Sequence, residues 1–385
     1  MNLRKRVKAM LRKRILTRTI QQERAREEEI ILAPVPREYR KALTETEKQA
    51  VRELWQPITK KLTVNGQKFS GGGISFQELS IFKYFNGFDP RYLGHELYLP
   101  LVAHLLNNYH YTKFFEDKGL LGVMSGAGLR FPYCVLRCVD GEFYDDRMQQ
   151  LSAAEARRKC LAYEGAVVQK IARESSGGHG VQKFLLTGSQ AEKERVAEKI
   201  FGLGERDWVL QRAIEQHPVM ARFNPSSLNT FRIITLYLHG RATLCYVLLR
   251  VGQAGSFVDN MCSGGVGIGV EPDGKLHDVG YTYALEQVRE HNGVVLAGES
   301  IPQLPRVIER VLAAHEKCYP AIKLIGWDVC LAADGEPTVV EINASQPEIF
   351  VGQLNCGPVF GERTEEVIDY CASRDFCYHR ALLTY

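Results

Sequence analysis

The chain has 385 residues, 45% of them apolar and 24% charged, with a formal net charge of +4. That profile describes a soluble globular protein with enough core for two or three lobes. It excludes a bilayer-spanning protein, since no run is long and apolar enough, and the ten cysteines lack the paired CxxC spacing of a zinc site, so they read as reduced, mostly buried thiols.

The small net charge conceals a cluster at the start. Arg4, Lys5, Arg6, Lys8, Arg12, Lys13, Arg14 and Arg18 stand within residues 1–18 without an acid. Leu3, Val7, Met10, Leu11 and Ile15 recur among them at helical spacing. A basic amphipathic helix of this kind suits an anionic membrane surface; a solvated helix or a disordered arm has the same composition. The segment lacks the continuous apolar stretch of a signal peptide. No aromatic interleaving accompanies the charge, so no nucleic-acid partner is expected. The expectation is a cytoplasmic protein, with peripheral contact to the inner membrane surface through residues 1–18.

Residues 1–60 read as charged and mostly helical, and 75–125 as helical packing rich in Leu, Tyr, Phe and His. Asp140-Gly141 marks a hairpin turn. Ser152 with Glu155, and Ser189 with Glu192, are capping boxes that start helices. Between them a strand, Ala166–Lys170, enters the glycine-rich loop Ser175–Gly180 and returns through Val181–Leu186. Trp208–Ile214 reads as a buried strand, 231–251 as a long hairpin around His239-Gly240, and 305–318 as a helix.

The last hairpin carries the clearest chemical signal. Gly326-Trp327-Asp328-Val329 and Val340-Glu341-Ile342-Asn343 flank Asp334-Gly335, the signature of a two-residue turn. Pairing Ala333 with Glu336 across that turn sets Asp328 opposite Glu341, with Asn343 on the same face. Two carboxylates held face to face about 5 Å apart repel one another. A divalent cation turns that repulsion into a site, and three oxygen side chains suit Mg2+ holding nucleotide phosphates. A solvent-facing edge with unrelated acids is the alternative.

Other segments carry weaker signals. There is no GxxxxGK[ST] loop, but Gly177, Gly178 and Gly180 let backbone amides approach phosphate oxygens. Lys170 at the strand end adds positive charge. Val209–Ile214 can serve as an adenine hinge through its backbone groups. Asn224-Pro-Ser-Ser-Leu-Asn-Thr-Phe-Arg232 crowds polar groups before a strand. Arg232 has the bidentate donors to stabilise a transferring phosphoryl group, or equally to make a structural salt bridge. Val258–Gly269 is glycine-rich, which brings backbone close to a ligand.

In this order the pieces resemble the ATP-grasp superfamily, and within it the sugar-transfer associated ATP-grasp branch. The resemblance runs from about Lys118 to Thr364. It rests on Glu116-Asp-Lys118, Val139–Tyr144, Lys170 with Ser175–Gly180, Gln216-His-Pro218, Asn224–Arg232, Val258-Asp-Asn260 with Ser263-Gly-Gly265, Asp328, Glu341-Ile-Asn343, and Asn355–Gly361. It implies an α+β ATP-grasp fold, two α/β lobes clasping ATP. A basic helix over 1–30 and helices over 31–115 would precede a lobe over 116–210 with the glycine-rich lid and a lobe over 211–385 with the metal site.

The resemblance also implies roles. Lys118 and Lys170 would meet the α/β-phosphates. Ser176, Gly177, Gly178, His179 and Gly180 would close over the triphosphate. Gln211, Arg212 and Ile214 would line the adenine, and Asn229 would join the nucleotide site. Arg232 would meet the γ-phosphate or an acyl phosphate. Asp328, Glu341 and Asn343 would hold one or two Mg2+ ions, with Mn2+ as a substitute. Ile171 stands where the family usually has Pro, and His179 where Lys or Arg is common. Lys113, about one helical turn away, competes with Lys118 for the first phosphate role.

The activity implied is an ATP- and Mg2+-dependent carboxylate–amine ligase acting through an acyl phosphate, amidating a sugar acid or attaching an amino acid in capsule or exopolysaccharide synthesis. Its partners would be a small-molecule or lipid-linked sugar bearing a carboxylate, and an amine. A small-molecule or sugar kinase on the same fold, a peptide-tailoring ligase, and a non-catalytic nucleotide-binding protein are the alternatives. Substrate specificity is expected in 75–110 and the loops around 345–360.

Overall fold

The computed structural model describes residues 36–60, 63–64, 67–68, 74, 76–123, 128–173, 180–204, 207–253, 255 and 264–375. The basic segment 1–18, Ser176, Gly177, Gly178 and His179, and Val258–Ser263 lie outside the described residues.

Helices come first. α1 (Glu45–Thr59) starts at a capping box in which Thr44 and Glu47 each accept the other's backbone N–H, and it buries Val51, Trp55 and Ile58 along one face. α2 (Gln77–Asn86) buries Leu79, Ile81 and Phe82. A helical run over 95–106 has a π-helical middle turn, Tyr98–Val102. α3 (Tyr109–Phe115) follows, with the Asn108 side chain accepting from the His110 N–H as its cap.

The smaller lobe is an antiparallel sheet built from β1 (Cys134–Val139), β2 (Glu142–Tyr144) and β3 (Gln150–Leu151), then, after α4 (Ala153–Ala162), β4 (Gly165–Ile171) and β5 (Val181–Leu186), and, after α5 (Gln190–Phe201), β6 (Trp208–Arg212). The strand order is β3-β2-β1-β6-β4-β5. Asp140 and Gly141, with φ of 50° and 84°, make the tight β1–β2 turn. Both expected capping boxes form. α4 and α5 cover one face, where Leu136, Val167, Leu186, Ile200, Trp208 and Leu210 share a core.

The larger lobe contains β7 (Thr230–Leu238), β8 (Arg241–Val251), β9 (Val266–Val270), β10 (Leu276–Tyr281), β11 (Gln287–Val288), α6 (Leu304–Cys318), β12 (Leu324–Leu331), β13 (Pro337–Asn343), α7 (Phe350–Cys356) and α8 (Thr364–Ala372). Its seven strands run in the order β11-β10-β9-β8-β7-β12-β13. α6 packs on one face, over Ile233, Val247, Leu249 and Trp327. On the opposite face Ile234, Leu236 and Leu248 share a single core with Trp55, Phe82, Tyr98 and Leu105 of the N-terminal helices and with Phe350 and Val367 of α7 and α8. The N-terminal helices are therefore the second layer of the larger lobe. Truncating one of their central aromatics, such as Trp55, costs about 3–5 kcal/mol on general grounds.

The eight described cysteines are free thiols, buried or half-buried. No helix among the described residues is long and apolar enough to cross a membrane.

Candidate active site

Asp328 lies directly opposite Glu341, with Gly326 opposite Asn343, but the turn that brings them together differs from the expected one. The Ala332 N–H donates to the Glu336 carbonyl and the Gly335 N–H to the Ala332 carbonyl, so the loop holds three residues, 333–335. Gly335 takes a φ of 78°, which glycine tolerates in a three-residue hairpin. The Ala333 N–H is drawn away to the Glu215 carbonyl, 2.7 Å. This shifts the register by one residue as far as Val329 opposite Val339. A β-bulge then places Val340 as the extra residue, and the register returns to Asp328 opposite Glu341.

The same row continues into the sheet. Asp328 is opposite Arg232 on β7, and Arg232 is opposite Leu248 on β8. Opposed residues of antiparallel strands share a face, so Arg232, Asp328 and Glu341 form a line across three strands. Arg250, two residues beyond Leu248, shares that face. Arg232 Nε donates to Asp328 Oδ1 at 2.5 Å and its Nη2 to Oδ2 at 3.1 Å. Arg250 Nη2 stands 3.0 Å from the same Oδ2, while Nε and Nη2 also donate to Thr230 Oγ1. Burial pushes the Asp328 carboxyl up, but the two guanidiniums outweigh it and hold it below its ordinary range. Burial likewise opposes the Arg232 charge, and Asp328 more than restores it. Asn343 Nδ2 lies 3.5 Å from Asp328 Oδ2.

At the outer end of the row, Lys118 Nζ is 3.0 Å from Glu341 Oε1. Lys118 is only 7% exposed, and its N–H donates to the Ala172 carbonyl just past β4. Lys113 sits elsewhere, 46% exposed at its side chain, over the Tyr109 ring and 3.7 Å from Glu116.

On the smaller lobe, Lys170 is opposite Val209 and Val181, and Gln211 is opposite Val168 and Cys134. Lys170, Val168 and Gln211 thus share the face turned away from α4 and α5. Gln211 is buried, and its side-chain carbonyl oxygen has no hydrogen-bond partner among the described residues. Gly180, just before β5, takes a φ of 71°, and a Cβ there would stand 2.3 Å from Ile171 Cδ1. Only glycine fits that approach.

Two of the expected nucleotide-site segments carry hydrogen bonds within the chain. Asn229 spends its side chain on the chain around it. Its Nδ2 donates to the Met220 and Asn224 carbonyls, and its Oδ1 accepts from Ser227. It is an anchor of the loop before β7, tied also to Gln216. The hinge backbone is partly committed as well. The Arg212 N–H donates to Tyr133 and the Ala213 N–H to Ala166, both at 2.9 Å. Arg212 itself is exposed, and Ile214 is half-buried past the end of β6.

The chain matches the profile described as sugar-transfer associated ATP-grasp over residues 102–369. It belongs to that ATP-grasp family. No curated relative matches the chain. Among solved structures it is similar to the biotin carboxylase domain of 2-oxoglutarate carboxylase from Hydrogenobacter thermophilus, at 15% identity over 68% of this chain and 46% of that one, with a TM-score of 0.39. The D-Ala:D-Ser ligase VanG from Enterococcus faecalis shows 11% identity over 67% of this chain and 61% of that one, with a TM-score of 0.38. The D-cycloserine synthetase DcsG shows 14% identity over 68% and 70%, with a TM-score of 0.37. The chain spans less than half of the carboxylase chain it matches.

An ATP-grasp site implies Mg2+ together with nucleotide, and the residues present fit both. Mg2+ keeps several waters and phosphate oxygens and takes one or two protein carboxylates. Asp328 and Glu341, with Asn343 beside them, offer that donor set. Among the described residues there is no group of three or more His, Cys, Asp and Glu that would make a rival centre. Lys118, Arg232 and Arg250 gather three positive charges around the Asp328 and Glu341 carboxylates, and Glu348 also acts on Arg232. Arg250 escaped the sequence reading. Its signal was its place near the end of the long hairpin strand facing Arg232, and that signal needs the strand order to be used.

Proposed function

We propose that this ATP-grasp protein is an ATP- and Mg2+-dependent ligase that joins a carboxylate to an amine through an acyl phosphate, with a sugar acid of polysaccharide assembly as the carboxylate substrate. The observation that carries the reading is the charged row Arg232–Asp328–Glu341, flanked by Arg250 and Lys118. The sugar-acid element rests on the family's association with sugar transfer.

Asp328, Glu341 and Asn343 would hold Mg2+, which supplies charge neutralisation on the phosphoryl group in transfer. Lys118 and Lys170 balance the α/β-phosphates, and the orphaned carbonyl of Gln211 accepts from the exocyclic amine of adenine. Arg232 and Arg250 present guanidinium donors to the γ-phosphoryl oxygens and to the acceptor carboxylate. In the first step a carboxylate oxygen attacks the γ-phosphorus in line. The bond from that phosphorus to the β–γ bridging oxygen breaks, and ADP leaves. In the second step the amine lone pair attacks the acyl carbon, phosphate departs with the bonding electrons, and the nitrogen loses a proton to solvent. No side-chain nucleophile is required. With a lipid-linked acceptor, residues 1–18 supply a peripheral contact to an anionic membrane.

An ADP-release screen of uronic acids against amino acids tests this, with Asp328→Ala and Glu341→Ala as controls. The reading expects ADP and phosphate that require both substrates. AMP as product, or a stable phosphorylated product formed without an amine, contradicts it.

A further inference from the structure

The chain immediately beyond the candidate metal strand is held by a residue to which the chemistry above assigns nothing. β13 ends at Asn343. The next two backbone N–H groups, of Ala344 and Ser345, both donate to Glu116 Oε1, at 2.8 and 2.5 Å. The Ser345 hydroxyl donates to Glu116 Oε2 at 2.7 Å and lies 2.9 Å from Thr112 Oγ1. Glu116 therefore receives three hydrogen bonds from a two-residue segment. It is itself the cap of α3, its N–H donating to the Thr112 carbonyl.

Two residues further on, Lys118 pairs with Glu341. The Asp117 carbonyl and side chain accept from Leu120, Leu121 and Gly119, which fixes the turn between them. The segment 116–118 thus grips the β13 strand at Glu341 on one side of Asn343 and at Ala344 and Ser345 on the other. A strand end exposes unpaired N–H groups that water can satisfy at little cost. A carboxylate that takes both, at the end of a helix held by buried Thr112 and by Phe115 against the core, adds direction.

We infer that Glu116 is a positioning residue for the Mg2+ site: it fixes the aim of Glu341 and Asn343 toward Asp328. The inference rests on the functional reading above. Partners that orient metal ligands through hydrogen bonds are commonly worth about 10–100-fold in metal affinity.

The test is calorimetric binding of Mg·ADP to the full chain, with ADP in EDTA as the parallel measurement. Glu116→Ala is expected to raise the Kd for Mg·ADP about tenfold or more while changing the Kd for metal-free ADP less than twofold. Glu116→Gln keeps one acceptor oxygen and is expected to lose about threefold, again only with Mg2+. If the alanine variant does not fold, the glutamine variant decides by the same comparison. Wild-type affinity in the folded variants, or equal weakening with and without Mg2+, overturns the inference and leaves the functional reading standing. A wild-type protein that binds no Mg·ADP overturns the functional reading, and the inference with it.

Discussion

Asp328 on β12 and Arg250 on β8 meet at 3.0 Å although strand β7 lies between them. Arg232, on that intervening strand, binds the same carboxylate. A buried acid with two guanidiniums is a poor device for stability, since desolvation offsets much of the Coulomb gain. It is a good device for holding charge ready. A carboxylate paired with two arginines defines where cations stand before a phosphate or substrate carboxylate arrives, so those groups need little reorganisation at the moment of reaction.

Removing the acid should therefore be costly even without ligand. Asp328→Ala takes the paired carboxylate from buried Arg232 and half-buried Arg250 and is expected to destabilise the protein by about 3 kcal/mol. Urea denaturation at neutral pH checks this. Arg250→Met leaves Asp328 with Arg232 and is expected to cost less, about 1–2 kcal/mol.

The two lysines should separate cleanly. Lys118 reaches Glu341 from a nearly buried position, whereas Lys113 lies on the surface. Lys118→Ala is expected to weaken Mg·ADP binding about tenfold or more, the loss of one charge-assisted contact of roughly 1.5–3 kcal/mol. Lys113→Ala should bind as wild type. Titration calorimetry on both variants reads the difference.

Gln211 carries a buried polar atom with no hydrogen-bond partner among the described residues. A buried acceptor without a donor costs about 1–3 kcal/mol, so Gln211→Leu should leave the melting temperature unchanged or raise it. The same change should narrow the preference for ATP over GTP about tenfold, through loss of an acceptor for the adenine amine. Thermal unfolding with paired nucleotide titrations separates the two effects.

Behind the row, on the other face of the sheet, Trp327 Nε1 donates to Thr235 Oγ1 at 2.8 Å. Thr235 contacts His315 Nδ1 at 2.7 Å, and His315 Nε2 is 2.9 Å from the Ile322 carbonyl. Burial lowers the His315 pKa to about 4, from an ordinary 6.5. Between those values the unfolded chain binds a proton that the folded one excludes, so stability should fall as pH drops from 6.5 toward 4. The full effect is about 3 kcal/mol. Urea midpoints at pH 7 and pH 5 should differ less in His315→Gln than in wild type.

Local chemistry was legible in the residues, and long-range placement was not. The capping boxes at Ser152 and Ser189 and the Asp140-Gly141 and His239-Gly240 turns formed as expected, because each rests on neighbours in sequence. Asp328 met Glu341 as expected through two shifts that cancel, a longer loop at 333–335 and a bulge at Val340. Alternation alone would have turned every side chain over had only one occurred. The bonds that the Asn229 side chain makes to nearby backbone were not legible, although short polar side chains before a strand commonly make them. Arg250 and Glu116 were hidden because their partners lie on strands and loops far along the chain. The shared core of the N-terminal helices was hidden for the same reason. Apolar helical spacing shows that a face is buried, and leaves open what it is buried against.

The most direct test of the account is the fate of oxygen. A uronic acid labelled with 18O in its carboxylate is turned over with ATP, Mg2+ and the amine found in the ADP-release screen, and the released phosphate is analysed by mass spectrometry. Transfer through an acyl phosphate places one labelled oxygen in each phosphate and yields ADP in equal amount. Unlabelled phosphate, or AMP with pyrophosphate, would contradict the central claim.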